Sequence, residues 1–178
     1  MPPGFFELQH HSQPALDALL AAGRGPDPAS LAPYLYRGLS LRLPAPAFSL
    51  FGKFGKTFIP DGAGHRGWNV RMHQNEADDA WRPRVVRGRP VTYGHYRLRP
   101  ADATDPLPDA LVIDYGLGGN RRLDPLGRVV DYVVAVGGDD LLLGRMYLRI
   151  GGRLVATPSY FALQRYLPVD TIVEPPRR

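Results

Sequence analysis

The sequence predicts a mainly β protein, an antiparallel up-and-down β-barrel of about eight strands, with an N-terminal helix and a short apolar helix after the first strand. Three observations predict it. From residue 34 onward, apolar side chains recur with a period of two in most segments. Clusters of Gly, Pro, Asn and Asp separate the alternating runs. No long helix alternates with strands in the second half, so short turns join the strands and neighbours run antiparallel.

The elements follow in order. "SQPALDALLAA", 12 to 22, is the best helix, with Ser12 as N-cap, Pro14 in the first turn, Gly23 as the stop and Leu16, Leu19 and Leu20 as one apolar stripe. The helical region spans about 5–22, a linker "GRGPDPAS" covers 23–30, the barrel about 34–166, and 167–178 reads as a disordered tail of a single-domain chain. "YLYRGLSLRL", 34 to 43, alternates as a half-buried strand does. In "APAFSLFGKFGKTFI", 45 to 59, Phe48, Phe51, Phe54 and Phe58 recur at helical spacing. That suits a short amphipathic segment acting as a lid, a membrane-touching surface or a homodimer contact. "GWNVRMHQ", "VTYGHYRLR", "ALVIDYG", "RVVDYVVAV" and the pair 141–150 and 153–166 complete the strands.

Composition narrows the function classes. With 44% hydrophobic residues in 178, the chain can bury a core. It has no cysteine, which excludes disulfides, thiol nucleophiles and thiolate metal sites. No apolar run approaches a membrane span and no secretory signal is visible, in keeping with a cytoplasmic location. Of 22 basic residues, 20 are Arg and only Lys53 and Lys56 are Lys. The positive charge is scattered, and the densest patch, "WRPRVVRGRP", is broken by proline, so no nucleic-acid partner is expected.

The Gly151–Gly152 loop sets the register of the last hairpin, pairing Ile150 with Arg153. Leu142, Gly144, Met146, Leu148, Phe161, Leu163 and Arg165 then share the aliphatic, inward face, and Arg145 and Arg149 lie outside. An inward guanidinium needs a partner. Arg165 either closes the barrel end against an aromatic such as Trp68 or Tyr36, or holds a ligand's acidic head.

An early "YRGLSL" strand, the antiparallel meander and the last strand "YFALQRY" resemble the calycin barrels, the lipocalin and fatty-acid-binding-protein superfamily. In intracellular members of that superfamily a last-strand Arg-x-Tyr holds the fatty-acid carboxylate; here Arg165 is followed directly by Tyr166. The chain is also loosely similar to small barrel proteins of actinobacterial enediyne polyketide pathways. These resemblances imply a non-catalytic carrier for a fatty acyl chain or a polyene or polyketide-like hydrophobe. The expected lining is Trp68, Val70, Met72, Tyr132, Val134, Met146, Leu148, Phe161 and Leu163, with Arg165 as the anchor.

Chemistry-bearing residues are sparse. His10, His11, His65, His73 and His95 form no metal motif, and no cofactor or metal is expected. Asp61 and His65 share a Gly-rich turn whose residues turn chemistry explains. "GLGGNRR" lacks the spacing of a phosphate cradle. The alternative to a carrier is a small lyase, isomerase or cyclase using His95 with Asp114 or Asp131, carboxylates set inside strands. Alternation places both Asp114 and Asp131 outward, beside arginines such as Arg97 or Arg145.

Overall fold

The computed structural model describes residues 3–42, 51–62 and 64–169. The chain begins outside the barrel, with a 3-10 turn, Glu7–His10, then α1, Gln13–Ala22, and a one-turn α2, Pro28–Leu31. The Ser12 hydroxyl accepts from the Ala15 N–H at 3.4 Å, and the Gly23 N–H closes the helix on the Leu19 carbonyl at 2.9 Å. Asp27 caps α2 by accepting from Ala29 N–H at 3.0 Å.

The strands are β1 Tyr34–Ser40, β2 Lys53–Asp61, β3 Gly64–Arg71, β4 Val85–Val86, β5 Arg89–Pro90, β6 Thr92–Pro100, β7 Leu111–Asp114, β8 Val129–Ala135, β9 Leu141–Ile150 and β10 Arg153–Pro168. β4 and β5 make a separate hairpin. The other eight close into a barrel in the order β1-β10-β9-β8-β7-β6-β3-β2, every pairing antiparallel. Closure leaves no open edge. This architecture is compatible with a calycin-like barrel.

β2 comes from the latter part of the segment expected as a short apolar helix, while Phe51, just before it, is helical. Phe54 and Phe58 lie on a strand, where Phe54, Lys56 and Phe58 all face inward at period two. Both rings are buried in the lumen, so neither supplies a surface patch for a membrane or a second copy. Phe48 lies outside the described residues. Trp81 is likewise buried, against Phe5 at 6.0 Å and under the Lys53 ammonium at 4.4 Å.

The barrel is apolar on both sides of its wall. Inside, Tyr36, Phe58, Tyr96, Ile113, Val133, Leu142 and Leu163 fill one half. Outside, Leu8, Leu16 and Leu20 of the N-terminal segment share a second buried cluster with Trp68, Val70, Met72, Val130, Tyr132 and Val134. This corrects the expected lining. Trp68, Val70, Met72, Tyr132 and Val134 are on the outer face, because the N-terminal segment and the loops packed on it make that face as hydrophobic as the lumen. Alternation cannot mark the inside of a strand buried on both faces.

The last hairpin follows the expected register as far as Ala156. Ile150 pairs with Arg153, and an irregularity between Ala156 and Tyr160 shifts the pairing by two residues, so the inward face is preserved. Gly144 then pairs with Phe161 and Leu142 with Leu163. Arg165 sits at the filled end of the barrel. Its guanidinium donates to the Ser30 carbonyl at 2.9 Å, pairs with Asp140 at 2.8 Å and lies 4.5 Å from the Tyr34 ring. These contacts tie α2 and the β8–β9 loop to the barrel end.

Candidate functional site

The other half of the lumen is hollow. A cavity of about 330 Å³ is lined by residues of seven strands and the turns beside them, among them Phe51, Phe54, Tyr93, Leu126, Met146 and Phe161. Phe51, Tyr93, Leu126, Met146 and Ser159 are half-buried and form its rim; Phe54, Lys56, Asn69, Tyr115 and Asp131 are buried and form its floor. Two glycines shape it. A Cβ on Gly38 would collide with the Phe54 ring, and one on Gly144 with the Phe161 ring. Each ring therefore lies flat over its cross-strand glycine, and the two meet edge to face at 5.9 Å across the lumen.

The floor is polar and closed on itself. Lys56 stands opposite Asn69 across β2 and β3. Its ammonium has three donors and three partners: the Asp131 carboxylate at 3.0 Å, the Asn69 carbonyl oxygen at 3.2 Å and the Tyr115 hydroxyl. The Asn69 amide also donates to the Tyr115 oxygen at 2.9 Å. Tyr115 is placed by the 3-10 turn Tyr115–Leu117 at the end of β7, which Asp114 caps by accepting from the Gly116 N–H at 2.8 Å. Around the ammonium stand the rings of Tyr96 at 4.9 Å, Tyr115 at 4.8 Å, Phe161 at 5.5 Å and Phe54 at 5.9 Å.

Burial sets the proton affinities. It raises the Asp131 carboxyl above the usual carboxylate range, with the Lys56 charge pulling the other way. Burial, aided by the negative charge of Asp131, pushes the Tyr115 hydroxyl well above its ordinary value. Tyr93 and Tyr96 are raised by burial too. The phenols around the floor are therefore neutral at physiological pH.

Of the lining expected from the sequence, Met146 and Phe161 border the cavity. Leu148 and Leu163 share the inner face but do not line it. The catalytic alternative is dispersed. Asp131 faces the lumen, not the solvent side as alternation suggested, because Lys56 neutralises it there. Asp114 faces outward as expected and pairs with Arg149 at 2.9 Å. His95 pairs across the sheet with outward Trp68, while Tyr93 pairs with inward Asn69. The bulge between them is made by Gly94, whose φ of 62° only glycine adopts freely, and it puts Tyr93 and His95 on opposite faces. Asp61 engages Arg97 at 2.9 Å and Arg66 at 3.4 Å, leaving the Asp61–His65 turn a structural feature.

Lys56, Asn69, Tyr93 and Tyr115 were not legible as site residues. The available signal was composition: two lysines in a chain that otherwise uses arginine. Among the described residues, no group of three or more His, Asp or Glu is placed to hold a metal ion, and no helix is long and apolar enough to cross a membrane. Comparison with protein-family models, with curated proteins and with solved structures gives no match.

Proposed function

We propose that the protein is a small-molecule binding protein that holds a neutral, largely apolar ligand in the hollow half of its barrel. The carrying observation is the cavity of about 330 Å³, apolar at its walls and with one self-neutralised polar cluster at its floor. Its size is at the low end of the roughly 300–1,000 Å³ of small-molecule sites, which also combine apolar walls with a few convergent polar groups.

The floor chooses the ligand's charge. Lys56 is already matched by Asp131, so an ionised fatty acid would bring a second carboxylate beside a buried one. Arg165, the expected anchor for such an acid, is engaged with Ser30, Asp140 and Tyr34 at the far end. A neutral polyene or polyketide-like molecule with one hydrogen-bonding group fits better than a fatty acid.

Titration with a neutral, environment-sensitive dye tests this. Saturable one-to-one binding is expected, displaced by neutral apolar alcohols more strongly than by ionised acids of the same length. Met146→Trp, which fills the cavity from its rim, should weaken binding by about tenfold or more, equivalent to about 1.4 kcal/mol, without unfolding the barrel. No saturable binding by any neutral apolar probe, or affinity untouched by Met146→Trp, would sink the reading.

A further inference from the structure

We propose that Lys56 takes its ligand covalently and reversibly, as an imine with the carbonyl carbon of an apolar aldehyde or ketone, with Asp131 as proton acceptor and counter-ion. The inference rests on reading the lumen as a ligand site, and adds the ligand's reactive group to it.

The first observation is which cation the chain places where. Among the described residues the other paired carboxylates take arginine: Asp17 with Arg145, Asp61 with Arg97 and Arg66, Asp102 and Asp105 with Arg99, Asp114 with Arg149 and Asp140 with Arg165. A guanidinium matches a carboxylate bidentately and does not give up its proton in proteins. The pair that faces the cavity is instead lysine with aspartate. Both lysines of the chain lie buried on β2, but they differ in setting. Lys53 is enclosed outside the barrel by Asn75 Oδ1 at 2.8 Å and the carbonyls of Glu76 and Asp79 at 2.9 and 3.1 Å, where it ties down a loop. Lys56 opens onto the cavity. Lysine differs from arginine there in one chemical respect that matters: once deprotonated, its nitrogen is a nucleophile.

The second observation is the company of that nitrogen. Asp131 at 3.0 Å is placed to receive the ammonium proton, and burial makes its carboxylate a stronger base. The Tyr115 hydroxyl, in contact with the same nitrogen, is neutral; it donates to the Asn69 carbonyl oxygen at 3.2 Å and can turn that proton to the oxygen of the incoming carbonyl. The four surrounding rings keep bulk water from the product and favour a cation.

The step balances without a further reagent. Lys56 gives one proton to Asp131, and its lone pair forms the C–N bond as the carbonyl π electrons move to oxygen. That oxygen, hydrogen-bonded by Tyr115, takes up the proton released by the attacking nitrogen. Water then leaves with the proton returned from Asp131. One ammonium and one carbonyl become one iminium and one water, and Asp131 is the counter-ion before and after.

The test uses the full-length protein and 4-(dimethylamino)cinnamaldehyde, a neutral apolar aldehyde whose imines absorb to the red, with cinnamyl alcohol as the non-covalent analogue. The aldehyde should produce a saturable red shift that the alcohol competes away. Reduction with cyanoborohydride should add the mass of the probe less one oxygen, and peptide mapping should place it on Lys56 ahead of Lys53 and the N-terminal amine. The double variant Lys56→Met/Asp131→Asn, which keeps the floor neutral, should lose the red shift and the adduct. If aldehyde and alcohol both displace the neutral dye but no adduct forms on Lys56, the imine is overturned and non-covalent binding stands. If neither they nor the dye bind, both readings fall. Because the mapping is made on the native chain, it decides the question even where the double variant does not fold.

Discussion

At the scale of single residues, Lys56 and Asp131 carry the site and its cost. Each charge is buried, and each is tolerable because the other is 3.0 Å away and the remaining valences go to Asn69 and Tyr115. Removing one member leaves the other unpaired in an apolar lumen. Lys56→Met is therefore expected to cost about 3–5 kcal/mol, and Lys56→Met/Asp131→Asn to recover a large part of it. Urea unfolding of both variants measures the coupling; equal losses in single and double variants would show that the pair is not coupled. A second residue, Asp105, governs the acid side. Arg99 grips it bidentately at 2.6 and 3.0 Å and the Tyr132 hydroxyl donates to it, which holds its carboxyl well below the usual carboxylate range. The unfolded chain thus binds this proton first as pH falls. The stabilisation is complete above about pH 5 and drains away below about pH 4, the ordinary range for aspartate. Asp105→Asn should lower stability at pH 7 by about 1.5–3 kcal/mol, and the loss should shrink steadily toward pH 2. A deficit that does not vary with pH would argue against this role.

At the scale of elements, β8 shows why the lumen was hard to read. In "VVDYVVA" both faces carry valines, and the single carboxylate looks like the mark of the solvent side. The outward face is in fact buried in one cluster with the N-terminal segment and the 101–110 loop, so Val130, Tyr132 and Val134 need no water, and the lumen side is left to Asp131. α1 is held there by Leu16 and Leu20 and by Asp17, which accepts from Arg145 at 2.9 Å and from the Tyr160 hydroxyl at 2.7 Å. Removing residues 1–25 should uncover that apolar face; increased binding of a hydrophobic dye and a lower Tm are expected, and an unchanged Tm would show that α1 does not support the barrel. β9 contributes the complementary case. Gly144 leaves room for the Phe161 ring, so Gly144→Ala should force that ring toward the cavity. A loss of about 1–3 kcal/mol is expected, together with weaker dye binding. Unaltered dye affinity in a folded Gly144→Ala protein would mean that Phe161 does not shape the site.

At the scale of the whole molecule, closure divides the work between the two ends of one tube. The filled half, plugged by Tyr36, Phe58, Tyr96 and Leu163 and sealed by Arg165, supplies packing. The hollow half forgoes packing and keeps its polar floor rigid from below. A ligand that fills it binds only the folded state, so it should raise stability by about 2.7 kcal/mol at a hundredfold excess over Kd. A thermal shift that grows with the logarithm of ligand concentration checks this, and a Tm indifferent to a ligand shown to bind would contradict it.

The sequence by itself determined the mainly β class, the capped N-terminal helix and the turn and facing of the last hairpin. Each of these is written in local chemistry: period-two alternation, Ser12 with Pro14, and a two-glycine turn between Ile150 and Arg153. Only the tertiary structure decided which face of β3 and β8 is the lumen, because an external helix makes the outer wall as apolar as the inner one. It also decided the fate of the buried charges. Lys56, Asn69, Tyr115 and Asp131 lie on four different elements, and nothing along the chain says that closing the barrel will bring them to one point. Arg165 was correctly seen to need a partner, but Ser30 and Asp140 reach it only once α2 and the β8–β9 loop fold over the same end of the barrel.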